Sequence, residues 1–272
     1  MLSGIRTATG FTGFVLLLIV LTAAVFGPFL APYDPQAFAP AARLQGPSAA
    51  HWLGTDQFGR DLLSRLLNGA PSTIFFGLGA TLLGVGAGGI IGVIAGTVGG
   101  WLDSVIMRVL DGLLAVPELL FTLLIVTFLG GGMGQAMLAV ALAFTPGMAR
   151  IARSSVLSIR TREYVLAAVA RGEPASYVIL REVLPNALGP IIVESTIRVA
   201  FAIMIGATLG FLGLGAQPPS TEWGLMVAEA RQFMFRNAWT VAVPGVAIAL
   251  AAMGFNLFGD ALRDSLDPRR SH

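Results

Sequence analysis

Charge-free apolar stretches recur along the chain, separated by short polar or arginine-bearing segments. A hydrocarbon core of about 30 Å takes about 20 helical residues to cross, so each long stretch is a candidate membrane span. The first covers residues 11–31, after a short segment, 1–10, that holds Arg6. A basic segment ahead of an apolar run also fits a cleaved secretory signal, but the length of this run and the spans that follow favour a retained helix. Residues 66–102 carry no charge, and their apolar heart at 73–98 predicts a second span. A third is expected at 105–129, then a glycine turn (Gly130, Gly131, Gly132, Gly134) into a fourth at 135–149. A fifth is expected at 191–215 and a sixth at 239–259, separated by an outer loop at 216–238. The polar tail 260–272 holds Asp260, Arg263, Asp264, Asp267, Arg269 and Arg270. The pattern defines an all-α polytopic membrane protein whose six passes put both termini on one side.

Three segments break the monotony. In the second span, Gly84, Gly88, Gly92, Gly96 and Gly100 recur every fourth residue, a stripe along which a neighbouring backbone can approach closely. In the loop 32–72, Phe58, Leu62, Leu63, Leu66 and Leu67 fall at helical spacing, with Arg60, Asp61, Ser64 and Arg65 opposite. This predicts an amphipathic helix over about 56–69, lying at the outer surface and capped by Thr55 or Asp56. Between 150 and 190, arginines at 150, 153, 160, 162, 171 and 181 alternate with small and apolar residues, as in a water-exposed helical loop. An alanine-rich helix at 163–171 ends at Gly172. Glu173 and Pro174 start a second short helix, because proline suits the first helical position and an acid complements the positive helix end. That helix is expected to stop at Pro185-Asn186. A short helix between two bends has the form of a docking element, although an ordinary connection looks the same.

Charge orients the bundle and narrows the chemistry. All seventeen basic residues are arginine, against fifteen acidic ones, and charged residues make up 12% of the chain, against about 25% in soluble domains. With the termini inside, twelve arginines lie on the cytoplasmic side and five outside (43, 60, 65, 231 and 236), so the 150–190 loop is expected in the cytoplasm. Trp101, Trp223 and Trp239 fall near span ends, where indoles favour the interface. Basic residues are not interleaved with aromatics, and no nucleic-acid partner is implied. Without lysine there is no P-loop, so ATP chemistry has to come from another chain. Cysteine is absent and the histidines, His51 and His272, stand far apart, which excludes disulfides, thiol catalysis and a His/Cys metal site. Ionisable groups at membrane depth each cost about 2.5–3.5 kcal/mol at a helix centre and call for partners. Arg108 with Asp111, and Glu194 with Arg198, are spaced to pair within their own helices. Glu118, following Pro117, has no partner in its own helix and is a candidate pathway or inter-helix contact. A stand-alone secondary transporter would need inverted repeats and a buried ion site, which are not evident. An Asp111/Asp260 protease dyad fails because Asp260 begins the polar tail.

The cytoplasmic loop resembles the EAA-type coupling loop of binding-protein-dependent ABC importer permeases. Ala167-Ala168, Gly172 and Leu184-Pro185 match its alanines, glycine and Leu-Pro, while Leu166 and Glu182 replace a glutamate and an isoleucine. The outer run 51–67, Gly100-Trp101-Leu102-Asp103, Phe211-Leu212-Gly213-Leu214-Gly215 with Gln217-Pro218-Pro219, and Phe255-Asn256-Leu257-Phe258-Gly259-Asp260 resemble the second, C-type, subunit of the dipeptide/oligopeptide/nickel permeases. The resemblance implies a type I ABC importer permease fold in a bacterial inner membrane. It implies a homologous permease partner, two cytoplasmic ATPases carrying ATP and Mg, and an extracytoplasmic solute-binding protein, with no cofactor on this chain. The implied cargo is short peptides, with nickel or another small solute as the alternative, moved by alternating access. Ala167, Ala168, Arg171, Gly172, Glu173 and Ser176 would contact the ATPase.

Overall fold

The computed structural model describes residues 8–266, so Arg6, Asp267, Arg269, Arg270 and His272 lie outside the described residues. Helix α1 is Ala8–Leu30 and α2 is Leu62–Val98, the latter 37 residues long. The Asp61 carboxylate caps α2 by accepting the Ser64 N–H, and Gly99, at φ +68°, ends it. Helices α3 (Gly100–Leu114) and α4 (Glu118–Leu129) meet at a 91° bend, followed by α5 (Met133–Arg160) and α6 (Glu163–Ala170). The chain then runs through α7 (Ala175–Phe211), α8 (Trp223–Ala230) and α9 (Trp239–Leu266). Among the described residues, five helices are long and apolar enough to cross a membrane, giving six spans if the α3–α4 pair counts as one broken span.

Close approaches at glycine set the helix directions. Gly13 of α1 lies against Leu257 of α9, and Gly254 of α9 against Leu16 and Leu17, so these helices are antiparallel and residues 8 and 266 lie at the same end of the bundle. Gly77 of α2 faces Ile203 of α7, while Gly206 faces Phe76, again antiparallel. The glycine stripe of α2 packs on α5, and the two run parallel. Gly84 meets Ala141 and Phe144, Gly88 meets Thr145 and Met148, Gly92 meets Ala149 and Ala152, and Gly96 meets Val156. Gly100 lies outside this contact: it has φ +65° and open space around it, because α2 has already ended. The end that gathers residues 8 and 266 therefore also holds Val98, Arg160 and the α6–α7 corner. The opposite end holds the loops 31–61 and 212–238.

Four expected elements differ. Residues 56–61 form turns, not the start of an amphipathic helix, and the polar face expected in water is buried, with Arg65 only 1% exposed. The cap of α2 is Asp61 rather than Thr55 or Asp56. The third span is broken at Pro117, which has no N–H to continue the helix and takes an extended ψ of 134° at the N-cap of α4. Pro185 does not stop a helix: Ala175–Phe211 is continuous. A π-helical segment, Val178–Val183, immediately precedes Leu184-Pro185 and widens the hydrogen-bond register, which accommodates the proline ring. Pro174 itself sits at the N-cap of α7 rather than at its first helical position.

Candidate functional site

The α6–α7 corner is built outward from a small core. Val165 and Ala168 of α6 join Val183 and Ala187 of α7 and Val156 and Ile159 of α5, with Val93 of α2 packed alongside. Gly172, at φ +81°, provides the left-handed turn that ends α6; its N–H reaches the Val169 carbonyl at 2.9 Å, and the Glu173 N–H reaches Ala168 at 3.3 Å. Arg160 donates from Nη1 to the carbonyls of Gly96 (2.7 Å) and Thr97 (3.0 Å), groups at the end of α2 that lack helical partners. The corner is thus fastened to two spans.

Of the residues expected to contact an ATPase, Ala167, Arg171, Gly172 and Ser176 are exposed on this corner, and Glu173 is half-buried with its carboxylate 3.8 Å from Arg171. Ala168 is 0% exposed and packs into the chain's own core, so a direct contact role does not hold for it. The corner also presents apolar side chains that the motif reading passed over: Leu166 (55% exposed), Val169 (57%) and Leu180 (61%), with Tyr177 beside them. Their signal was simple, since large apolar residues had no reason to stand in a polar loop. Between α6 and the start of α7 lies a notch of about 410 Å³ lined by Leu166, Val169, Glu173 and Ile179.

Three ion pairs tie the helices together deeper in. Arg198 of α7 donates to Glu118 of α4 (2.6 Å) and to Glu194 of its own helix (3.1 Å), and its guanidinium lies 4.9 Å from the centre of the Phe144 ring. Arg153 of α5 grips both oxygens of Asp103 on α3 at 2.5 Å each. Asp111 pairs with Arg150 of α5 and not with Arg108, which makes no ion pair among the described residues. Both carboxylates of α3, Asp103 and Asp111, are thus held by arginines of α5. On the opposite side of the bundle, Asp56 accepts from Arg60 (2.6 Å) and the buried Arg65 (3.0 Å), and both arginines also reach Glu229 of α8. Glu222 caps α8 through the N–H groups of Gly224 and Leu225, each at 2.9 Å.

Parallel and antiparallel spans, a broken third span and a fastened corner at the end that holds residues 8 and 266 make up a polytopic helical membrane protein, with the architecture of a type I ABC importer permease. Residues 88–272 match the family described as binding-protein-dependent transport system inner membrane component, and residues 8–47 match the N-terminal TM domain of oligopeptide transport permease C. The chain belongs to the binding-protein-dependent transport permeases. It is 44% identical to a probable D,D-dipeptide transport system permease protein of Escherichia coli, over 95% of this chain and 87% of that one. It is 42% identical to a dipeptide transport system permease protein of Alkalihalophilus pseudofirmus (94% and 84% covered) and 40% identical to a glutathione transport system permease protein of Pectobacterium atrosepticum (94% and 85%). Among solved structures, the MetNI methionine ABC transporter in inward-facing conformations shares the fold, with a TM-score of 0.62 at 18% identity, covering 75% of this chain and 97% of that one.

Proposed function

We propose that this permease subunit carries dipeptides and related short peptides inward, in a complex with a homologous permease, two cytoplasmic ATPases and an extracytoplasmic binding protein. The names of its relatives support the cargo. One observation carries the coupling: a rigid corner held by Arg160 and a buried apolar core nevertheless exposes Leu166, Val169 and Leu180 to water. Contiguous apolar side chains at a water-facing surface mark a protein contact. ATP binding on the partner subunits closes them and carries the corner along. Because α7 is continuous from Ala175, the displacement enters the membrane directly as movement of α7. Hydrolysis on those subunits resets it.

The arginine distribution supports a cytoplasmic corner and cytoplasmic termini. A reporter active only in the cytoplasm is expected to work when fused after Ser176 and to be silent after Thr221; the reverse pattern overturns this orientation. The purified complex of both permeases, two ATPases and the binding protein is expected to hydrolyse ATP faster when the binding protein is loaded with a dipeptide. Gly172→Asp strains the left-handed turn and adds a charge beside Glu173, so this variant is expected to insert normally while losing ATPase copurification and peptide-stimulated hydrolysis. A variant that copurifies and transports like the parent rules the corner out as the coupling site.

A further inference from the structure

Helix α7 packs on α2, α5, α8 and α9, yet one of its faces is bare. Ile191 and Leu209 are buried toward α5, and Val199, Ala200 and Ile203 lie in the core shared with α1, α2 and α9. A third stripe, Glu194, Ile197, Phe201, Met204, Thr208 and Phe211, repeats every three or four residues. Glu194, Ile197 and Thr208 are half-exposed, and Phe201, Met204 and Phe211 are exposed. At the inner end the stripe opens into a cavity of about 800 Å³ walled by Ile151 of α5, Arg162 and Arg263 of α9. At the outer end it runs into a second, of about 320 Å³, beside Gly224 and Gly245.

Depth decides what this face meets. At 1.5 Å per residue, Arg198 and Glu194 lie roughly 20–25 Å from the outer end of α7 at Phe211, inside a hydrocarbon core about 30 Å thick. Ionised groups bared at that depth to lipid cost several kcal/mol, so a stripe that contains Glu194 and is flanked by Glu118 faces water or protein. The bare surface of α1 is different in kind: Phe11, Leu18, Ile19 and Phe26 are suited to acyl chains.

We propose that the bare stripe of α7 is the wall along which the solute crosses, with Glu118, Arg198 and Glu194 forming its station for the solute's ammonium group. This deepens the importer reading and rests on it. Two carboxylates against one guanidinium leave the cluster with one net negative charge. Arg198 occupies only Oε1 of each glutamate, and neither Oε2 accepts another hydrogen bond among the described residues. An ammonium can take those positions without displacing Arg198, which is held by the Phe144 ring. Phe201 and Met204, next along the stripe, offer a soft polarisable surface that receives side chains of varied shape.

The chain has no cysteine, so single cysteines can be read against a clean background. In the full complex in nanodiscs, Phe201→Cys, Met204→Cys and Thr208→Cys are expected to react with a water-soluble trimethylammonium methanethiosulfonate at least tenfold faster than Ile19→Cys and Phe26→Cys. ATP with vanadate should change the stripe's rates at least threefold. At Phe201→Cys the cationic reagent should outpace the sulfonate analogue more than the Thr208→Cys site does, and Glu118→Gln should remove that excess. Stripe cysteines as slow as the α1 controls overturn the wall. A reagent preference untouched by Glu118→Gln overturns the ammonium station. Labelling is read without transport, so failure of dipeptide-stimulated hydrolysis in the parent complex separately indicts the importer reading.

Discussion

Gly92→Leu is expected to abolish recovery of folded permease, whereas Gly86→Leu and Gly89→Leu leave it unchanged. The three glycines lie within two turns of the same helix and differ in what a side chain would meet. A Cβ at Gly92 strikes the Ala149 carbonyl oxygen and falls 2.7 Å from the Ala152 Cβ and 2.9 Å from the Arg153 nitrogen; at Gly86 and Gly89 nothing lies within 4 Å. Helices in a bilayer associate through close packing rather than through expulsion of water, so separating α2 from α5 removes the contact that holds them. Overpacking a core typically costs about 1–3 kcal/mol, and a leucine against backbone atoms belongs at or above the top of that range. The same displacement drags Arg153 from Asp103 and Arg160 from the end of α2, loosening the α6–α7 corner. Thermal unfolding in detergent and size-exclusion profiles check this. Equal midpoints for Gly92→Leu and Gly89→Leu would show that the glycine register is incidental.

That register was legible because period is a property of one helix. Five glycines at intervals of four announce a close approach whatever the neighbour, and four of them make it. What lies between helices was less legible. Pro117 breaks the third span, but Pro71, Pro146, Pro190 and Pro244 sit inside continuous helices, so proline alone did not mark the break. Hydropathy averaged over 105–129 registers apolar content and is blind to direction. Asp111 reaches Arg150, 39 residues away, in preference to its helical neighbour Arg108. At the α6–α7 corner the glycine marked the turn at Gly172, but the motif could not separate Ala167 from Ala168. Both are small, and only the phase set by Val165 turns the second inward. The amphipathic run at 56–69 failed for a related reason: a polar face buried against protein and one bathed in water have the same spacing, and the partner that decides, Glu229, lies 164 residues from Arg65.

Arg65→Met is expected to destabilise the end of the bundle that holds the 31–61 loop and α8 by about 3–5 kcal/mol, the range for removing one partner of a buried ion pair. Arg65 sits between Asp56, which organises the turn before α2 by accepting the N–H groups of Phe58 and Arg60, and Glu229 of α8. Methionine fills much of the volume, so the loss comes mainly from carboxylates left buried without their counter-charge. Burial already raises the Glu229 carboxyl above its ordinary pKa, a tendency that Arg60 opposes and Asp56 reinforces. A carboxyl with a raised folded pKa favours the folded state below its unfolded value, near 4.5, and loses that benefit as pH climbs through the folded value. The deficit of Arg65→Met should therefore shrink on acidification, and adding Glu229→Gln should recover part of it at neutral pH. Limited proteolysis of the 31–61 loop, followed against pH for the single and double variants, reads this out. A deficit that is flat with pH and unrelieved by Glu229→Gln would mean that Arg65 contributes packing alone. In that case the 31–61 loop and α8 are joined by shape, and the charge network that ties them is dispensable.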